Sequence, residues 1–238
     1  MMTDIADPMT FSCKLLVLYE DACVLAVDKP SGCLVHRGWG KDRVVLSDLV
    51  RDYLGEGPAR PIHRLDRQTS GVVLFAKDSQ SAAALGEAFN AGDVIQKRYL
   101  ALVRGVPALS GFIDHAIPRR EGGPRVAAQT AFRRLASVDT SIRTVSWVEA
   151  IPKTGRLHQV RRHLKHISHP IIGDANYGKG PLNRAIRDAF GLSRLALHAA
   201  SVLFPSPRGG QSIEVCSPVP LSLKLPLLKM GFDDSRVN

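Results

Sequence analysis

A single α+β domain follows from the residue pattern, and three observations carry that reading. Short apolar runs of strand length recur along the chain, bounded by Gly, Pro, Asn and Asp turn signals. Three or four segments with helical spacing fall among them in no regular strand–helix–strand rhythm. There is no internal repeat of fixed period and no Gly-rich phosphate turn of the dinucleotide or P-loop kind.

Taken in order, residues 1–12 read as a flexible leader. Leu15 to Val27 holds two apolar runs, LLVLY and CVLAVD, separated by Glu20-Asp21, which predicts two adjoining strands. Lys29-Pro30-Ser31-Gly32 is a turn. Leu46, Leu49, Val50, Tyr53 and Leu54 share one face of a helix over 46–54, with Ser47 as its cap. Residues 61–77 are a polar loop that runs into a strand at Val72–Ala76. A helix at Ser81–Asn90 is closed by Gly92, and a strand at Ile95–Val103 ends at Gly105. Residues 107–125 are loop-like, and the basic, Gly-rich stretch 119–125 reads as mobile. Strands follow at Gln129–Leu135 and Thr144–Ala150. Residues 157–167 form a helix with Leu157, Val160, Leu164 and Ile167 at helical spacing, stopped by Pro170. Asn183–Phe190 is a short helix closed by Gly191. Leu195–Phe204 and Ser212–Val215 are a last pair of strands, and 233–238 is a frayed tail. The domain is expected to span 13–232.

Composition narrows the function. The 238 residues are 45% apolar and 23% charged, ordinary globular values. No apolar run approaches the ~18–20 residues that cross a bilayer. The first ten residues carry two Asp, no basic residue and no following apolar stretch, so they are not a secretory signal. Cys13, Cys23, Cys33 and Cys216 form no CxxC pair, which speaks against a zinc ribbon and for reduced thiols in the cytoplasm. The 32 Lys+Arg against 22 Asp+Glu give a net charge of +10, which points to a polyanionic partner, RNA or DNA first and an anionic membrane surface second.

Four segments could carry chemistry. In His63-Arg64-Leu65-Asp66-Arg67-Gln68-Thr69-Ser70-Gly71, Asp66 lies between two arginines that favour its ionised form. It could serve as a nucleophile or base, but the residues alone favour a turn residue that bonds its own backbone. Residues 152–173 carry five Lys/Arg, four His and no acid, which suggests a helix whose basic face meets phosphates. His158, Arg161 and Lys165 are spaced to share that face. His163, His166 and His169 invite a metal reading. However, each step of three turns by about 300°, so the outer pair spread, and no carboxylate or Cys lies at ligand spacing. Solvated or RNA-facing histidines are the better expectation. In Gln96-Lys97-Arg98-Tyr99, an aromatic beside two cations opens a strand and could stack on a base or pack in the core.

These segments, in this order, resemble the RluA-type pseudouridine synthases. HRLDRQTSG matches the signature around that family's catalytic aspartate. QKRYLALVRG resembles its tyrosine motif and TGRLHQVRRHLKHISHPIIGD its arginine motif. VDKPSGCLVH and LALHAASVLF resemble the opening and closing ones. The resemblance runs from about residue 15 to 215.

It implies a mixed, largely antiparallel sheet with a central RNA-binding cleft flanked by helices and loops. The implied activity is isomerisation of uridine in RNA to pseudouridine without metal or organic cofactor. Asp66 is then the catalytic aspartate, Tyr99 the active-site tyrosine and Arg161 the arginine paired with Asp66. Arg64 helps displace the target base. His63, Arg67, Thr69, Lys97, Arg156, His158, Arg162 and Lys165 are expected around them as RNA contacts. Within the family the chain is most similar to the TruC-like subgroup that modifies tRNA at uridine 65, near the end of the T-stem, through LVHRGW, RRHLKHISHPIIGD and FGLSRLALHA. Its segment 110–128 is shorter than in that subgroup. Ribosomal RNA or a tRNA anticodon stem-loop is the alternative substrate. A cytoplasmic monomer with no separate N-terminal RNA-binding domain is expected. A non-catalytic RNA binder and a metal-dependent hydrolase built on the three histidines are readings of other classes.

Overall fold

A computed structural model of the chain describes residues 15–37, 44–55, 57–91, 94–119 and 122–237. The leader, Cys13 and the helix-closing Gly92 lie outside them. Twelve strands and six helices follow one another among the described residues. The first half runs β1 (Leu16–Glu20), β2 (Val24–Lys29), α1 (Leu46–Tyr53), β3 (Arg60–Pro61), β4 (Ser70–Ala76), α2 (Ser79–Ala91), β5 (Gln96–Arg104), β6 (Ser110–Asp114), β7 (Ile117–Pro118) and β8 (Arg125–Val126). The second runs β9 (Gln129–Asp139), β10 (Thr144–Pro152), α3 (Gln159–His166), α4 (Gly180–Phe190), β11 (Leu197–Pro205), β12 (Ser212–Cys216), α5 (Leu221–Met230) and α6 (Asp234–Val237).

Ten strands form one sheet in the order β1-β2-β4-β11-β5-β10-β9-β6, with β12 beside β11 and β3 beside β4. Every pairing in it is antiparallel except β4 with β11, where Ser70 faces His198 and Gly71 faces Ala199. The α+β class with a mixed, largely antiparallel sheet is therefore as expected. The parallel junction lies at the middle of the sheet, and all seven residues of β4 are buried. A strand covered on both faces reads as one continuous apolar run, which is why VVLFA shows no alternation. Gly71 enters this strand at φ +117°, and a Cβ there would run into the backbone of Ala199. Only glycine lets the two strands come this close.

Apolar side chains fill both faces. Leu85 of α2 packs with Val24, Val72, Leu74 and Phe204. Leu46 and Val50 of α1 pack with Leu25, Val73 and Phe75. A larger cluster joins Leu102, Trp147, Leu164, Ile186 and Leu223 on the other half of the sheet. The two halves meet at Tyr99, which packs against two of these clusters.

Three expectations are corrected. Ser47 is not a cap: it lies inside α1, and the capping position is Val45 in extended backbone. Residues 107–125 are not a loop, since β6 pairs with β9, and β7 with β8 makes a hairpin. Gly and Pro in that stretch mark turns between short strands rather than irregular chain. Within 119–125, Arg125 belongs to β8, while Arg120 and Glu121 lie outside the described residues. The tail is not frayed, because Asp234–Val237 is helical and Val237 is fully buried. Helix α5 was not anticipated, because Pro226 interrupts its backbone bonding at a cost of about 3 kcal/mol. Burial of Leu223, Leu227 and Met230, each contributing ~1.5–3 kcal/mol, outweighs it.

Candidate active site

Asp66 stands in the loop between β3 and β4, and that loop is fastened from several sides. The Thr69 N–H donates to the Asp66 carbonyl (3.0 Å) and the Gly32 N–H to the Arg67 carbonyl (2.8 Å). The Lys29 ammonium is fully buried and donates to the carbonyls of Arg67 (3.0 Å), Pro30 (3.0 Å) and Cys33 (2.7 Å). At the foot of β4, Arg194 donates to the Ser70 hydroxyl at 2.7 Å, and that hydroxyl lies 2.9 Å from Nδ1 of His198. A turn satisfied in this way holds its carboxylate without help from a ligand.

The cation beside Asp66 comes from far away in the chain. Arg161 of α3 donates from Nη1 to Asp66 Oδ2 (3.0 Å). Its Nε and Nη2 grip Asp174 with both oxygens, at 2.8 and 2.9 Å. Asp174 is buried and also accepts the N–H groups of Asn176 and Tyr177. Burial alone would raise its carboxyl pKa, but the Arg161 guanidinium and these N–H bonds hold it below the usual carboxylate range. Arg161 is likewise penalised by burial and then held more firmly protonated by its two carboxylates. Gly173, at φ +79°, brings this turn against the backbone of Arg194 where a side chain would collide.

Next to the pair stands His158, in left-handed backbone at φ 55° just before α3. Its Nε2 is 3.7 Å from Asp66 Oδ1, and its Nδ1 is 3.0 Å from the Tyr177 hydroxyl. That hydroxyl accepts a hydrogen bond from Arg162 Nε (2.8 Å) and keeps a proton that it can donate to Nδ1, the arrangement in which His158 carries its own proton on Nε2, toward Asp66. Burial, helped by Arg161 and Arg162, lowers the His158 pKa and keeps the ring neutral.

These groups open onto a cleft of about 620 Å³. Tyr99 lines it from β5, where it pairs with Ala199 of β11 and Ala150 of β10. Burial first, and the Asp66 charge second, raise its phenol pKa, so the hydroxyl stays protonated. The far wall is a stack. His63 lies 5.0 Å from Phe89 with rings 18° apart, and the half-buried Lys97 ammonium sits 5.9 Å from the Phe89 centroid. Burial and Lys97 push the His63 pKa down to about 3, and its Nε2 accepts the Leu74 N–H (3.1 Å). Lys97 is itself shifted downward by burial and by Arg156. Arg64 and Arg156 are exposed at the rim, while Thr69 is buried and its hydroxyl has no partner among the described residues.

The cleft thus gathers Asp66, Tyr99, Arg161, His63, Arg64, Thr69, Lys97, Arg156 and His158. Arg67, Arg162 and Lys165 are not in its lining. Arg162 faces the hairpin and donates to the Pro118 carbonyl (2.9 Å). The expected shared face of His158, Arg161 and Lys165 does not form: His158 precedes the helix in left-handed backbone, and Lys165 points to solvent. His163 is fully buried, with Nδ1 2.9 Å from Thr130 Oγ1 and Nε2 2.9 Å from the His115 carbonyl, so it is neither solvated nor RNA-facing. Among the described residues no three His, Cys, Asp or Glu come together as a metal site. Sequence reasoning passed over Asp174 and Tyr177. The available signal was that Asp174 is the first acid after the acid-free basic run 152–173.

Comparison with known proteins decides what the cleft belongs to. The model of one family, described as RNA pseudouridylate synthase, matches residues 23–166, which contain Asp66, Tyr99 and Arg161. The chain belongs to the RNA pseudouridylate synthase family. It is 40% identical over 220 residues to tRNA pseudouridine synthase C of Haemophilus ducreyi, covering 85% of this chain and 90% of that one. Identity to the protein of the same name from Vibrio cholerae is 37% over 222 residues, covering 84% and 89%. Among solved structures, Human RNA Pseudouridylate Synthase Domain Containing 1 superposes with a TM-score of 0.75 at 27% identity, covering 90% of this chain and 87% of that chain. As a pseudouridine synthase the protein is an isomerase acting on RNA.

Proposed function

We propose that this pseudouridine synthase acts on tRNA, at uridine 65 near the end of the T-stem, with Asp66 as the catalytic carboxylate. The observation that carries the reading is the Asp66–Arg161–Asp174 unit at a basic cleft, held together before any substrate arrives. The substrate class follows the printed names of the bacterial relatives. The protein is taken to work as a cytoplasmic monomer with no metal or organic cofactor.

The reaction breaks the bond from uracil N1 to the sugar C1′ and joins uracil C5 to that carbon. The C5 proton leaves and N1 gains one, so no atom is added or lost. A stacked uridine cannot reach a carboxylate, and flipping it out costs a few kcal/mol. Arg64, Lys97 and Arg156 offset that cost through phosphate contacts, and Arg64 takes the place of the departing base. Direct attack at C1′ and removal of a sugar proton both require an ionised Asp66, whose Oδ2 accepts a hydrogen bond from Arg161 Nη1 at 3.0 Å. Tyr99 stacks on the flipped uracil, and its phenol oxygen takes the late C5 proton as it passes its own hydroxyl proton to water in the cleft, so the net transfer is from C5 to solvent. The buried Thr69 hydroxyl is left for a polar edge of the base.

The test uses tRNA and ribosomal RNA labelled with tritium at uracil C5, incubated with pure protein without added metal. Release from tRNA, mapped to uridine 65, is the expected result. Release from ribosomal RNA alone would keep the chemistry and overturn the substrate. Release from neither would point to a non-catalytic RNA binder.

A further inference from the structure

We propose that a crevice behind the β7–β8 hairpin is a second phosphate site, which holds a backbone phosphodiester of the RNA away from the target nucleotide. This rests on RNA being the substrate and adds a contact that the catalytic cleft does not contain. The crevice encloses about 360 Å³ between the hairpin and α3, and His115, Arg125, Arg162, Lys165, His166 and Tyr177 line it. None of its described lining residues is acidic.

Some of the surface cations are neutralised by direct ion pairs. Arg37, Lys77 and Arg98 each sit on a carboxylate. Arg125 and Arg162 are instead held by neutral acceptors. Arg125 donates from Nε to the Ala116 carbonyl (2.9 Å) and from Nη2 to His115 Nε2 (2.6 Å). Arg162 is fixed by the Tyr177 hydroxyl and the Pro118 carbonyl. Each guanidinium keeps its full charge and spare N–H donors in a set orientation, which suits a tetrahedral oxyanion. Lys165 is exposed, and its ammonium makes no hydrogen bond or ion pair among the described residues. The His115 and His166 rings stack with centroids 3.6 Å apart and form a flat wall beside these cations. Three like charges around one crevice repel each other unless an anion sits among them.

The position fits a strand that also enters the cleft. Arg119, which follows β7, lines the cleft, while Arg125 of β8, paired with the neighbouring Pro118, lines the crevice. Tyr177 lines the crevice and touches His158 of the cleft. One RNA backbone can therefore pass around the hairpin and meet both sites.

The experiment measures the affinity of wild type, Lys165→Ala and Arg125→Gln for tRNA and for ribosomal RNA across a salt series, with circular dichroism as the check on folding. Lys165 is exposed, so its variant is expected to fold normally. Loss of one phosphate contact should weaken binding about three- to ten-fold near 0.1 M salt and reduce the slope of log K against log salt by about 0.7–0.9. Arg125→Gln should act in the same direction. Unchanged affinity and slope in Lys165→Ala would overturn the crevice while leaving the substrate reading intact. Binding of wild type to neither RNA would overturn both.

Discussion

Asp66 and Asp174 share one guanidinium: Arg161 reaches Asp66 with Nη1 and clasps Asp174 with Nε and Nη2. Asp174 is the buried end of this bridge and Asp66 the end open to the cleft. The geometry makes Asp174 a positioning residue, since it orients the arginine that orients the reactive carboxylate. Asp174→Asn keeps the shape and removes the charge that fixes the guanidinium. Weakening these charge-assisted bonds should cost about 1.5–3 kcal/mol in urea unfolding. Tritium release should fall well beyond the loss expected from the unfolded fraction alone. Wild-type turnover in a folded Asp174→Asn protein would remove Asp174 from the mechanism.

Tyr99→Phe separates stacking from proton transfer. The ring keeps its place between β10 and β11, so RNA affinity should stay within about three-fold. Single-turnover release of the C5 tritium should drop about 10²–10⁴-fold, the usual contribution of a positioned acid or base. A drop in affinity with an unchanged single-turnover rate would assign Tyr99 to stacking alone.

What was legible in the chain divides along physical lines. Strands came through where burial on both faces leaves long apolar runs, as in β4 and β11. The Asp66–Arg161 pairing came through as an implication of the family's motifs, and the structure places the two groups 3.0 Å apart. Helical spacing in 157–167 located α3 but not which of its polar residues turns inward, because His163, Arg161 and Lys165 are all polar in a sequence and only packing separates them. Asp174 carried no local mark of its role, because the arginine it grips lies 13 residues back on α3. The hairpin β7–β8 and helix α5 were hidden by Gly and Pro, whose local cost is overridden by tertiary contacts.

The chain of contacts from Arg162 through Tyr177 to His158 makes a second prediction about Asp66. The Tyr177 hydroxyl lies 3.0 Å from Nδ1 of His158, and where it donates its proton there it favours the neutral ring. Tyr177→Phe removes that bond, and the His158 pKa should rise toward its ordinary value. The imidazolium then forms at higher pH and competes with substrate for Asp66. The acid limb of the activity profile should therefore move to higher pH. Superimposable profiles for variant and wild type would rule the relay out.

Buried neutral histidines also set how the fold responds to acid. Burial pushes His63 down to about 3 and His198 down to about 4, from an ordinary value of 6.5. His115, His158 and His163 are lowered in the same direction, again chiefly by burial. Below 6.5 the unfolded chain takes up protons that the folded chain refuses, so the unfolded state binds more protons and stability falls as pH drops. The stability these groups contribute is complete above about pH 6.5 and is lost progressively between there and about pH 3. Asp174, with its depressed carboxyl, extends the loss to lower pH, because its contribution is present above 3.8 and disappears as pH falls through its folded value. Each fully neutral histidine should add a slope of about 1.4 kcal/mol per pH unit within the window. Urea midpoints at pH 7.5, 6.5, 5.5 and 4.5 measure this directly. His63→Gln retains an acceptor for the Leu74 N–H and cannot titrate, so its curve should be shallower than wild type by one proton. A midpoint that stays level from pH 7.5 to 4.5 would show that these histidines are solvated and free to protonate.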